Sequence, residues 1–443
     1  MQTLSTKTSQ FSDSVIRRMT RVSNRYGAIN LSQGFPDFDP PREITDCLAE
    51  VAHKGPHQYA ITWGAQGFRE ALARKQTPLM GIGEIDPDSQ VVVTCGSTEA
   101  MMCAIMTVCD PGDRVVVFSP FYENYGADTI LCDSVPSYVE LYAPEFSFDE
   151  SELEHACALP HTKALILCNP SNPTGHVFTP QELSSIADLA ERYDLYVITD
   201  EVYEHIVYAP YRHVYFAGLP DMAERTISCS SLSKTYSITG WRLGYAIAPA
   251  GISERIKKVH DFLTVGAAAP LMEAATVGLG LPQGYYDELL ATYTRKRQLF
   301  CEGLRRLGMP FVEPQGAYFV MCDISEAGYE NDEEFAVELA RRMGVGGVPG
   351  SCFFNVPENR FIRFHFAKSD GVLNDALQRL EGWQETGDEV EQGAFARAAG
   401  AEDGKALALR RVASTSSAFG VRYVIGARIE RGGQGGRLLP CSR

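Results

Sequence analysis

From about residue 45 to 285, short apolar runs alternate with stretches in which apolar positions recur every three or four residues. The runs are VVVTC (91–95), RVVVFS (114–119), ALILC (164–168), LYVIT (195–199), TISCS (226–230) and RLGYAIA (242–248). Short β-rich runs of this kind, bounded by turn formers, predict buried strands. Between them, TEAMMCAIMTV and PQELSSIADLAERY predict helices, and Pro180 suits a helix's first turn, where its missing N–H costs nothing. Strand and helix alternating at this spacing predict a large doubly wound α/β lobe over 45–285. Ligands in such lobes sit beyond the carboxyl ends of the strands.

After residue 286 the pattern changes. A long helical stretch, YDELLATYTRKRQLFCEGLRRLG, leads into the strands AYFVMCD and RFIRFHF. This predicts a smaller α+β lobe over 286–383, completed by an N-terminal arm, residues 1–44. Residues 384–443, rich in Gly and Arg at their end, read as a solvated, disordered tail foreign to the domain. Truncation after Gly382 is therefore expected to leave activity intact.

Length supports two lobes, since 443 residues exceed what one hydrophobic core usually serves. A net charge of −16 argues against a nucleic-acid partner, whose phosphates call for clustered Lys and Arg. Neither a secretory h-region nor a run of about 18 apolar residues is found, so no membrane association and a cytoplasmic setting are expected. The twelve cysteines show no metal-ligand spacing, and Cys95, Cys168, Cys229 and Cys322 fall in apolar runs. They read as reduced, buried thiols rather than metal ligands or nucleophiles.

The most specific segment is SLSKTYSITGWRLGYAIA. Lys234 lies among Ser231, Ser233 and Thr239, with Arg242 eight residues on. A covalent catalytic lysine needs an amine that can lose its proton, and a phosphorylated cofactor needs anion-binding groups nearby. An S-x-x-K pattern alone is common; the extended S-x-S-K-x-x-x-x-T-G-W-R-x-G string is not. Four further segments follow strands: CGSTEAM, SPFYENY, CNPSNPTG and TDEVY. Each taken singly is a turn or a helix cap.

Together and in this order, these motifs resemble those of the class I (fold-type I) aminotransferases over roughly residues 15 to 383, nearest the methionine, kynurenine and aromatic branch. The resemblance implies the fold-type I architecture, a large doubly wound lobe with a mixed sheet plus the smaller α+β lobe, and pyridoxal 5'-phosphate (PLP), held by Lys234 as a Schiff base. It implies Asp200 at the pyridine nitrogen, Asn172 and Tyr203 at the phenolic oxygen, and Tyr122 stacked on the ring. Ser97, Thr98, Ser231 and Arg242 would hold the phosphate, joined by Tyr59 from the neighbouring subunit of a homodimer with shared sites. Arg363 would clamp the substrate α-carboxylate near the Gly34 backbone, with Asn172 beside it; a guanidinium suits this because it engages both oxygens in one plane.

The implied reaction moves an amino group from an amino acid to a 2-oxo acid. Large neutral amino acids (methionine, aromatic, glutamine or kynurenine class) are the expected donors, because no second arginine stands out for a side-chain carboxylate. Cysteine-conjugate β-elimination and aspartate-type specificity are the alternatives on the same scaffold. A non-catalytic PLP-binding regulator would carry a DNA-binding module, and no helix-turn-helix precedes residue 45.

Overall fold

The computed structural model describes residues 3–381, so the reading of 384–443 as a tail falls outside the described residues. The larger sheet has eight strands in the order Val91–Thr94, Gly244–Ile247, Thr226–Ser231, Tyr196–Asp200, Thr162–Cys168, Arg114–Ser119, Val135–Tyr142 and Ser147–Phe148. The run from Thr226–Ser231 to Val135–Tyr142 is parallel. Gly244–Ile247 lies antiparallel to both its neighbours, and the edge strand Ser147–Phe148 is antiparallel to its one partner. The sheet is therefore mixed.

Alternation along each strand explains why both faces are covered. Val92, Val115, Val117, Ala164, Ile166, Ile198 and Ile227 share one core with Met101, Ala104 and Ile105 of the helix Ser97–Val108 and Ile256 of the helix Ala250–Thr264. The intervening residues face the other way. Val91 and Val93 meet the helices Gln66–Met80 and Ala269–Leu279, while Val116, Leu165 and Val197 meet Glu150–Ala158 and Pro180–Arg192. Pro180 opens its helix as expected, behind a capping box in which Thr179 and Glu182 each accept from the other's backbone N–H.

All six anticipated strands in the larger sheet match to within two residues at each end. The largest offsets are at the starts of ALILC, which begins two residues early at Thr162, and RLGYAIA, which begins two residues late at Gly244. Val135–Tyr142 went unread because Pro136 interrupts it and only two of its eight residues, Val139 and Leu141, are buried.

The smaller sheet is antiparallel, in the order Phe311–Val312, Phe319–Asp323, Phe361–His365, Val348–Pro349. Its core joins Val320, Cys322, Ile362 and Phe364 to Tyr293, Phe300 and Leu304 of the helix Gln283–Arg306. The N-terminal segment belongs to this layer: Ile29–Asn30 pairs in parallel with Val345–Gly346, and Met19 enters the same core.

Candidate active site

A cavity of about 760 Å³ opens where the strands of the larger sheet end. Asp200 is the last residue of its strand, and Ser97, Tyr122, Asn172 and Lys234 each follow a strand end within a few residues. Ser97, Thr98, Tyr122, Asn172, Asp200, Tyr203, Ser231, Lys234, Arg242, Gly34 and Arg363 all line this one cavity. Tyr59 does not: it lies outside, 88% exposed.

One end is a cradle for an anion. Gly96 has φ +86°, and a Cβ there would fall 2.2 Å from Arg242 Nη2, so the guanidinium lies directly against the glycine. Gly244 is equally constrained, since its Cβ would land 2.4 Å from the Ser97 amide nitrogen. Arg242 itself sits at φ +56°, a left-handed conformation costly for a residue with a side chain. Its Nη1 donates to Thr239 O at 3.1 Å. Ser97 begins a twelve-residue helix whose dipole favours negative charge at that point.

Behind the cradle, Glu99 is fully engaged. Its oxygens accept from the Cys95 amide, from Thr264 Oγ1 at 2.7 Å and from His260 Nδ1 at 2.8 Å. His260 Nε2 faces Thr62 O at 2.9 Å. Both ring nitrogens thus face acceptors. Cys103 brings its sulfur within 4.8 Å of the Glu99 and His260 ligand atoms, but those oxygens are already committed. The group reads as a tie between two helices and the loop at Thr62.

At the floor, Asp200 is buried and accepts from Tyr125 Oη at 2.7 Å and from the Val202 amide at 3.3 Å. Burial raises its carboxyl above the usual carboxylate range, against those hydrogen bonds and the Lys234 charge. Tyr203 packs edge-on against Tyr318 and Phe319, at 5.2 and 5.7 Å between ring centres. Burial lifts the Tyr122 phenol to about 12, reinforced by Glu123 and Asp200 and opposed by Arg17. Lys234 Nζ donates to Gly34 O at 3.2 Å, and Tyr318 Oη donates to the same carbonyl at 3.0 Å. Gly34 must be glycine, because a Cβ would meet the Phe319 ring at 2.6 Å.

At the far end Arg363 is buried, with Nη1 donating to Asn172 Oδ1 at 2.6 Å and Nη2 to Ser32 O at 2.9 Å. The rings of Phe319 and Phe353 flank its guanidinium at 4.3 and 4.6 Å. Its Nε is buried without a partner, and burial lowers its pKa from the ordinary value. A buried cation with a donor to spare is a site for an anion.

The family model for class I and II aminotransferases matches residues 26–380. The chain belongs to that family. The methionine aminotransferase of Escherichia coli is 35% identical over 375 residues, covering 84% of this chain and 97% of that one. The aspartate aminotransferase of Pyrococcus abyssi is 33% identical over 356 residues, covering 80% and 90%. Among solved structures, N-succinyldiaminopimelate aminotransferase from Mycobacterium tuberculosis aligns with a TM-score of 0.82 at 33% identity, covering 86% of this chain and all of that one. The aminotransferase is a PLP-dependent enzyme that moves amino groups between amino acids and 2-oxo acids.

The cavity fits that cofactor: an anion cradle, a buried carboxylate at the floor and a lysine amine between them, in a volume that takes a cofactor and an amino acid together. Tyr125 and Arg17 also reach the site, and sequence reasoning passed over both. Tyr125 lies three residues after Tyr122, at the start of the helix Asn124–Leu131, and helical spacing was the signal available for it. Among the described residues no helix is long and apolar enough to cross a membrane.

Proposed function

We propose that the enzyme transfers the amino group of a large neutral L-amino acid, of the methionine, aromatic, glutamine or kynurenine class, to a 2-oxo acid. The observation that carries this reading is the apolar part of the cavity lining, where Ile16, Phe35, Met102, Leu263 and Phe319 offer surface to a neutral side chain.

In this reading Lys234, Asp200, Asn172, Tyr203, Tyr122, Ser97, Thr98, Ser231 and Arg242 hold PLP, which when bound supplies an electron sink for negative charge on the substrate α-carbon. Asp200 would pair with the ring nitrogen and favour its protonated form, while Asn172 and Tyr203 would hold the phenolic oxygen. Arg363 holds the substrate α-carboxylate, using the donor it has free. Lys234 Nζ, kept on the Gly34 side of the cavity, takes the proton from the substrate Cα as general base. Packing of Tyr203, Tyr318 and Phe319 keeps water from that proton.

The reading includes a homodimer with Tyr59 reaching the partner's phosphate site. Supporting it, Tyr59, Ile61, Phe262, Leu263 and Val265 are all exposed, and Gly266 lies beside Thr62. It also includes a cytosolic setting, supported by eleven described cysteines that are all free. In Lys234→Ala, turnover and the visible absorbance of the lysine-bound cofactor should both disappear while the fold persists. A variant with near-normal turnover removes Lys234 from the mechanism. An amino-donor panel on the purified enzyme tests the substrate class, and a strong preference for aspartate overturns it.

A further inference from the structure

We propose that Arg17 is the specificity residue that admits a dicarboxylic 2-oxo acid as amino acceptor, by binding its distal carboxylate. This rests on the transaminase reading above and names the second substrate of the same site.

Three arginines line the cavity: Arg17, Arg242 and Arg363. Arg242 belongs to the anion cradle and Arg363 to the α-carboxylate end, which leaves one cation with no anion to serve. Among the described residues Arg17 makes no ion pair, although its neighbour Arg18 pairs with Glu333 at 2.6 Å. Helix stability does not explain it either. Arg17 stands in the first turn of the helix Val15–Tyr26, where a positive side chain opposes the helix dipole.

The nearby acid is already committed. Glu123, also in the cavity wall, accepts from the Val15 amide at 3.1 Å and from the Ser14 hydroxyl, capping that helix. Arg17 is exposed and long, so its guanidinium can turn toward a ligand or out to water. Its charge is felt at Tyr122, deeper in the cavity. Donor and acceptor occupy the cavity in turn, with the same α-carboxylate clamp. A neutral side chain then lies on the Ile16, Met102 and Leu263 wall, and a distal carboxylate meets Arg17 beside it.

The test uses the holoenzyme converted to its amino form, followed by stopped-flow reaction with 2-oxoglutarate or with 4-methyl-2-oxopentanoate. In Arg17→Gln the ratio of their second-order rate constants should fall on the order of 10-fold or more against 2-oxoglutarate, with Arg17→Lys recovering part of it. A ratio that stays within about twofold of the parent overturns the proposal. So does equal loss for both acids, which would mean that Arg17 acts on the α-keto carboxylate the two share and not on the distal carboxylate. Any amino acid that converts the enzyme can prepare the amino form. Failure with methionine therefore strikes the neutral-donor reading alone, while the Arg17 ratio is still measured.

Discussion

Asp200 and Glu204 stand four residues apart in one segment, both are buried carboxylates, and they face opposite sides of it. Asp200 looks into the cavity, with one tyrosine hydroxyl and one amide as donors, and its carboxyl is raised. Glu204 looks away from it. It accepts from Gln76 Nε2 at 3.2 and 3.3 Å and from the Tyr215 hydroxyl, with Lys75 Nζ at 3.8 Å. Burial alone would raise its carboxyl, but Lys75, His205 and Tyr215 outweigh it and hold it at about 2. His205 is kept neutral by burial, at about 4, and Lys75 lies 2.8 Å from its Nε2. The Glu204 carboxylate is satisfied from within the chain. The cavity keeps unmet demand: a raised carboxyl at Asp200 and a spare donor at Arg363. Internal satisfaction marks a structural cluster, and unmet demand marks a binding site.

The sharpest way to break that contrast is Asp200→Asn, which keeps the shape and removes the charge. Turnover should fall by roughly 10³–10⁴-fold, about 4–5.5 kcal/mol in transition-state stabilisation, with little loss of thermal stability. A variant that unfolds instead would make Asp200 a structural acid like Glu204.

Glu204→Gln should do the reverse. It leaves Lys75 buried without its counter-charge and should cost roughly 3–5 kcal/mol of stability, read by denaturant unfolding at neutral pH. Because its folded pKa is depressed, the Glu204 contribution is present above about 4.5 and is lost as pH falls toward about 2. The gap between parent and variant should therefore narrow in acid. A variant with normal stability and lost turnover would dissolve the distinction.

Asp128 lies between the two cases: buried, with Oδ2 unpartnered, and raised to about 7 by burial and then by Asp200. Between about 3.8 and 7 the folded chain holds this proton and the unfolded chain has lost it, so stability falls as pH rises through that window and is flat above it. Asp128→Asn should therefore gain roughly 2–4 kcal/mol over the parent at pH 8, and much less at pH 5. An equal effect at both pH values would mean that Asp128 does not titrate in this range.

The strand ends were legible because buried parallel strands are continuous apolar runs, and the polar residues just past them stand out. Lys234, Asp200 and Asn172 fall there, but singly each reads as a turn or a cap, and only the motifs taken together carried the resemblance that gave them roles. Tyr125 and Asp128 were not legible, since one helical turn hides them behind the more conspicuous Tyr122. The direction of Gly244–Ile247 was also hidden. Its linker from Ser231 has no α-helix to carry a parallel crossover, but that signal shows only once the strand ends are fixed. Arg17 was illegible for a different reason. A polar residue near the start of an amphipathic helix reads as solvated surface, and only the tertiary fold brings that surface to the cavity mouth.

The hydrogen bond from Arg363 to Ser32 spans 331 residues, whereas the parts of the anion cradle are all present once Gly244 has been made. The two ends of the cavity therefore differ in age during synthesis. Synthesis makes the cradle's residues before Arg363 exists, and Arg363 takes its place only when the strand Phe361–His365 joins its sheet. In the proposed reading, the residues that would hold the cofactor are thus made before the arginine that would hold the substrate.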